Sequence, residues 1–78
     1  MTATQSQVEA VTFLFELAFG FQPHTISCDE NSIVAVSSDE MSFADIDRKT
    51  GCVGIADVEQ GCWSFASVAD AYACIEGI

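Results

Sequence analysis

Twelve carboxylates, four thiols and one imidazole are the groups in this chain whose chemistry could define a function. The thiols stand at Cys28, Cys52, Cys62 and Cys74. No two are separated by two residues, so neither a redox pair nor a zinc-knuckle spacing is present. Buried free thiols are the expectation, because nothing marks export and cysteine serves as a small core residue; two disulfides or a metal site are the alternatives. His24, the one imidazole, follows Pro23 and has no local nucleophile or orienting partner, so it reads as an edge residue and not as a general base. Asp45-Ile46-Asp47 starts like a calcium loop. Lys49 then occupies the next alternate ligand position, and Gly51 comes too late for the sharp turn such a loop needs. No cofactor, metal or enzymatic activity is expected.

The carboxylates are left as the main signal. Twelve acids against two bases give a formal charge of −10 over 78 residues. That balance excludes unaided nucleic-acid binding, which requires cations to displace counterions from phosphates. Half of the residues are apolar, which separates the chain from disordered acidic segments. Solubility is served by a charge of magnitude about 2–8 in a small domain, preferably of mixed sign. Ten uncompensated charges repel one another in the compact state, a cost that a strongly basic partner would remove on binding.

The elements that must hold these groups can be read from spacing. Met1 to Gln5 carries no basic residue ahead of an apolar run, so a secretory signal is not expected. The apolar stretch Val8 to Phe21 is interrupted by Glu9, Thr12 and Glu16, and no membrane span is expected. Ser6 and Glu9 have the spacing of a capping box, and Val8, Val11, Phe15 and Ala18 recur at helical intervals. Gly20 and Pro23 stop that pattern, which predicts a helix over about residues 6–19.

From His24 to Asp57 the pattern changes to short β-type runs separated by turns. Strands are predicted at 25–28, 33–36, 41–47 and 52–57, with Gly51 taking the left-handed position in the third turn. Ser64 or Ser67 can cap a second helix, with Trp63 and Val68 at staple positions around Ser64 and Gly77 at the end. The alternative is a brief fifth strand at 62–65 before a shorter helix. Both readings give one α+β domain, an α-ββββ-α meander with two helices on one face. Its expected core is Val11, Leu14, Phe15, Ala18, Ile33, Val36, Ile46, Val53, Ile55, Val68, Tyr72 and Ile75.

If residues 48–51 form the turn, Ile46 opposes Val53 and Ala44 opposes Ile55 on the core face. Asp45 and Asp47 then share the other face with Cys52, Gly54 and Ala56 opposite and Phe43 beyond. Carboxylates two residues apart on a strand are about 6.6–6.8 Å apart, close to two axial steps of about 3.4 Å along one DNA strand. Solubility of an exposed face is the competing account. Asp29 and Glu30 flank one end of the second strand, Asp39 and Glu40 the other, and Asp57 and Glu59 follow the fourth.

In size, charge and scarcity of Lys and Arg, the whole chain resembles small acidic phage-encoded inhibitors of bacterial defence, including anti-CRISPR proteins, a class that shares no diagnostic motif. The resemblance implies a non-enzymatic inhibitor in the bacterial cytoplasm. Its partner would be a basic, nucleic-acid-binding CRISPR-type complex, blocked by mimicry of DNA. It assigns Asp29, Glu30, Asp39, Glu40, Asp45, Asp47, Asp57 and Glu59 as contact candidates. The alternative is an adaptor that binds a neutral partner through a β-edge or through Phe43, Trp63 and Phe65.

Overall fold

The computed structural model describes residues 5–76. Helix α1 (Gln5–Phe19) buries Val11, Leu14 and Phe15, one stripe at helical spacing. Gly20 ends it at φ +83°, with its N–H donating to the Glu16 carbonyl at 2.8 Å. The helix already includes Gln5, so Ser6 lies inside the first turn and the expected capping box does not form. Glu9 instead accepts a hydrogen bond from the Gln5 side-chain amide at 3.2 Å.

Five antiparallel strands follow in sequence order: β1 (Thr25–Cys28), β2 (Ser32–Val36), β3 (Ser42–Asp47), β4 (Val53–Asp57) and β5 (Gly61–Phe65). The meander therefore includes the fifth strand, and helix α2 (Val68–Glu76) is the shorter of the two readings. Ser67 is its cap, accepting from the Asp70 N–H at 3.1 Å. Ser64 lies within β5, where Phe65 packs against the core, so a cap at Ser64 and its staple between Trp63 and Val68 are not formed. The proposed stop at Gly77 lies outside the described residues.

Ile46 faces Val53 and Ala44 faces Ile55, the expected register. Ile33, Ala35, Ala44, Ile46, Val53 and Ile55 are buried beneath the helices, and α1 lies over β2 and β3. Alanines at the centre of this face let the helix approach the sheet. Two expected core positions are corrected. Val36 is one residue out of phase with Ile33 and Ala35, so its side chain belongs to the opposite face. Tyr72 is half-exposed with its ring 5.5 Å from Phe13, and the buried place on α2 goes to Ala71.

The thiols are also corrected: Cys28, Cys52, Cys62 and Cys74 are free but exposed. Cys28 lies on the edge strand β1, Cys52 in a turn, Cys62 opposite Ala56 on the outer face of β5, and Cys74 on α2. None of these positions belongs to the stripe of residues that the core covers.

Phe15 is fully buried and Phe13 is half-exposed. Phe15→Ala should cost about 3–5 kcal/mol, comparable to the net stability of a domain this small. Circular-dichroism melting should show no cooperative transition for Phe15→Ala and a retained one for Phe13→Ala.

Candidate protein-binding site

Every hairpin turn of the meander is closed by an aspartate. Asp29 accepts from the Asn31 and Ser32 N–H groups at 2.7 and 2.8 Å, and Asp47 from Lys49 and Thr50 at 2.8 and 3.1 Å. Asp57 accepts from Glu59 and Gln60 at 2.8 and 3.2 Å, and Asp39 from Met41 at 3.0 Å. These are Asx-type turns, in which a short carboxylate replaces a missing backbone acceptor. Two buried serines add a second layer. The Ser37 hydroxyl donates to Asp39 and accepts from the Met41 and Ser42 N–H groups, while Ser42 donates to Asp57 at 3.0 Å.

The hydrogen bonds fix the charge state of these groups. Backbone donors are the leading cause holding Asp29, Asp47 and Asp57 below the ordinary carboxylate range, and the Ser37 hydroxyl is the leading cause for Asp39. Asp45 differs. It stands in mid-strand on the sheet face that the helices leave open, with Val34 on one side and Gly54 on the other. A Cβ at Gly54 would collide with the Asp45 carboxylate. Burial pushes the Asp45 carboxyl up, opposed by a hydrogen bond from the Gly54 backbone and reinforced by the Asp47 charge. Asp45 and Asp47 share a face, as the register required, but their carboxylates have separate tasks. Asp47 is engaged with its turn and Asp45 lies over Gly54.

Antiparallel topology sorts the acids of the hairpin turns to two ends of the sheet. Asp29, Glu30 and Asp47 lie at the end that also carries Arg48 and Lys49, the chain's only lysine and arginine residues. Arg48 ties its two turns together, donating from its backbone to Asn31 at 2.8 Å and from its guanidinium to the Asp29 carbonyl at 2.7 Å. Asp39, Glu40, Asp57 and Glu59 lie at the other end, with no Lys or Arg. A hydrogen bond from Val58 N–H to the Met41 carbonyl at 3.0 Å joins those two turns, and Asp39 raises the Asp57 carboxyl slightly against its hydrogen bonds. Glu40 holds φ +61°, the only positive φ at a non-glycine among the described residues. A side chain in that region costs roughly 1–2 kcal/mol, which glycine avoids.

An apolar cleft of about 470 Å³ adjoins the cation-free end, with Phe19, Phe21, Trp63, Phe65 and Ile75 among its walls and Asp57 and Gln60 on its lining. Phe15, Phe19 and Phe21 form a ring cluster with centroids 4.8–6.3 Å apart. The three aromatics singled out in the sequence do not meet: Phe43 faces outward opposite Ala56, whereas Trp63 and Phe65 share the helix-facing side with Ile55 and Val53. Phe21, Ser37 and Ser42 were not among the site residues expected from the sequence. Phe21 stands just past the helix stop at Gly20, and each serine lies within three residues of the turn's Asp39.

Among the described residues no group of three or more His, Cys, Asp or Glu side chains is placed to hold a metal, and no helix is long and apolar enough to cross a membrane. Comparison with protein-family models, curated proteins and solved structures gives no match to the chain.

Two stability tests follow from this geometry. The pKa of Asp47 is lowered by folding, so its contribution is complete above the ordinary value of 3.8 and lost as pH falls through the lower folded value. That of Asp45 is raised, so its charge opposes folding at neutral pH, and the penalty fades as pH falls through the raised value towards 3.8. Asp47→Ala should therefore lower the melting midpoint at pH 7, and Asp45→Asn should raise it. Both differences should shrink in melts recorded below the ordinary carboxylate range. Glu40→Gly should stabilise by up to about 1 kcal/mol, or about 4–8 °C, whereas Glu30→Gly should give no gain.

Proposed function

We propose that this chain is a non-enzymatic acidic binding module that inhibits a basic, nucleic-acid-binding protein assembly by occupying its nucleic-acid channel. The observation that carries this reading is the cation-free end of the sheet, where Asp39, Glu40, Asp57 and Glu59 crowd two hydrogen-bonded turns. Neither turn needs a glutamate for its hydrogen bonds, and Glu40 occupies a backbone conformation that glycine would hold at lower cost. Charge retained against local stability is what a binding role requires.

Anti-CRISPR-type inhibition within a bacterial cell is the specific form that the class resemblance suggests. The mimicry proposed is of charge, since Asp47 is committed to its own turn and Asp45 lies against Gly54. Rim carboxylates chiefly accelerate encounter with a positive channel, while breaking a desolvated pair with a partner arginine costs about 2–5 kcal/mol. Asp29 and Glu30 rank below the other end as contacts, because Arg48 and Lys49 partly neutralise their surroundings. An adaptor for a neutral partner is the second reading, favoured by the half-exposed rings of Phe21 and Trp63.

Mobility-shift assays on a panel of purified RNA-guided bacterial complexes test the proposal. At least one complex should lose target-DNA binding in the presence of the protein, and the loss should weaken steeply as salt is raised. Glu40→Gln combined with Glu59→Gln should weaken inhibition about tenfold or more, ~1.4 kcal/mol, with Glu30→Gln having a smaller effect. Inhibition indifferent to salt and to the double variant favours the adaptor.

A further inference from the structure

We infer that the cleft beside the cation-free end receives one arginine side chain of a basic protein segment, its stem against Phe21 and Trp63 and its guanidinium at the Asp57–Gln60 rim. The inference rests on the acidic-module reading and specifies where that module anchors its partner.

Size and lining come first. About 470 Å³ lies within the usual range of small ligand pockets, roughly 300–1,000 Å³, which are apolar with a few placed polar groups. Trp63 and Phe21 are 45% and 50% exposed beside this cleft, whereas Phe15 is fully buried. Aromatic faces beside a carboxylate suit a planar cation with an aliphatic stem.

The rim chemistry selects the sign of the occupant. Asp57 Oδ1 accepts two backbone hydrogen bonds and Oδ2 accepts one from Ser42. A carboxylate has about four lone-pair sites, so one acceptor position is left while the full negative charge persists. Glu59, Asp39 and Glu40 add to the same negative field from the two turns at this end of the sheet. An anionic or neutral segment would gain nothing from that field. Arg48 and Lys49 lie in a turn at the opposite end of the sheet, so neither fills the site. Arginine fits better than lysine, since its guanidinium stacks on aromatic faces and presents several donors in a plane.

Trp63 is the only tryptophan in the chain, so its emission reads the cleft directly. The probe is an acetylated, amidated peptide of alternating arginine and leucine, titrated at low salt and followed by tryptophan fluorescence and by calorimetry. The expected result is saturable binding that shifts Trp63 emission, with the lysine-for-arginine peptide binding about threefold or more weakly. Phe21→Ala should weaken binding about tenfold, or ~1.4 kcal/mol, and Glu30→Gln less than about twofold. Cys74→Phe, which fills the cleft from the exposed side of α2, should have the same effect as Phe21→Ala if the latter variant proves unstable. Calorimetric binding that leaves Trp63 emission unmoved, or that survives both cleft variants, overturns the arginine site and leaves the acidic-module reading standing. Absence of calorimetric binding for either peptide overturns both.

Discussion

Four aspartate carboxylates, at positions 29, 39, 47 and 57, each accept hydrogen bonds from backbone N–H groups in a hairpin turn. A five-stranded meander has four such turns, and each leaves donors that the strand ladder cannot satisfy. Meeting that need with aspartate at every turn places charge at both ends of the sheet. Part of the acidity of the chain is therefore structural. It follows from how the chain reverses direction, before any partner is considered.

What the turn aspartates leave unexplained is the three glutamates. Glu30, Glu40 and Glu59 stand beside them and are exposed. At one end Arg48 and Lys49 answer the negative charge, and Arg48 also ties the first turn to the third. At the other end no Lys or Arg does so, and the aromatic cleft opens beside it. A basic partner of the proposed kind would meet a weakly charged end, an open sheet face bearing Asp45, and a strongly negative end with an apolar recess. Electrostatic steering favours the last.

The first helix, the four expected strands and the register of the third hairpin are legible because each is fixed by local chemistry. Gly20 and Gly51 take left-handed positions where the chain must stop or turn, at φ +83° and +81°. Alternation then places Ile46 against Val53 with no further information. Choices that depend on tertiary packing are not legible in this way. Ser64 and Ser67 are equally able caps, and the pairing of Gly61–Phe65 with β4 decides between them. Val36 and Tyr72 are apolar enough for a core but lie off its face. For the site, the candidate acids are visible by composition, whereas their division into turn-closing Asp and solvent-directed Glu requires the hydrogen bonds. The separation of Phe43 from Trp63 requires the register across three strands.

The central claim is that the cation-free end is the binding end. It is tested most directly by mapping amide chemical-shift changes as the protein is titrated with a short oligoarginine at low salt. The account predicts that the largest changes fall on residues 39–41 and 57–60, on Phe21 and on the Trp63 indole. Changes concentrated on residues 29–31 and 48–50, or spread evenly over every acidic position, would contradict it.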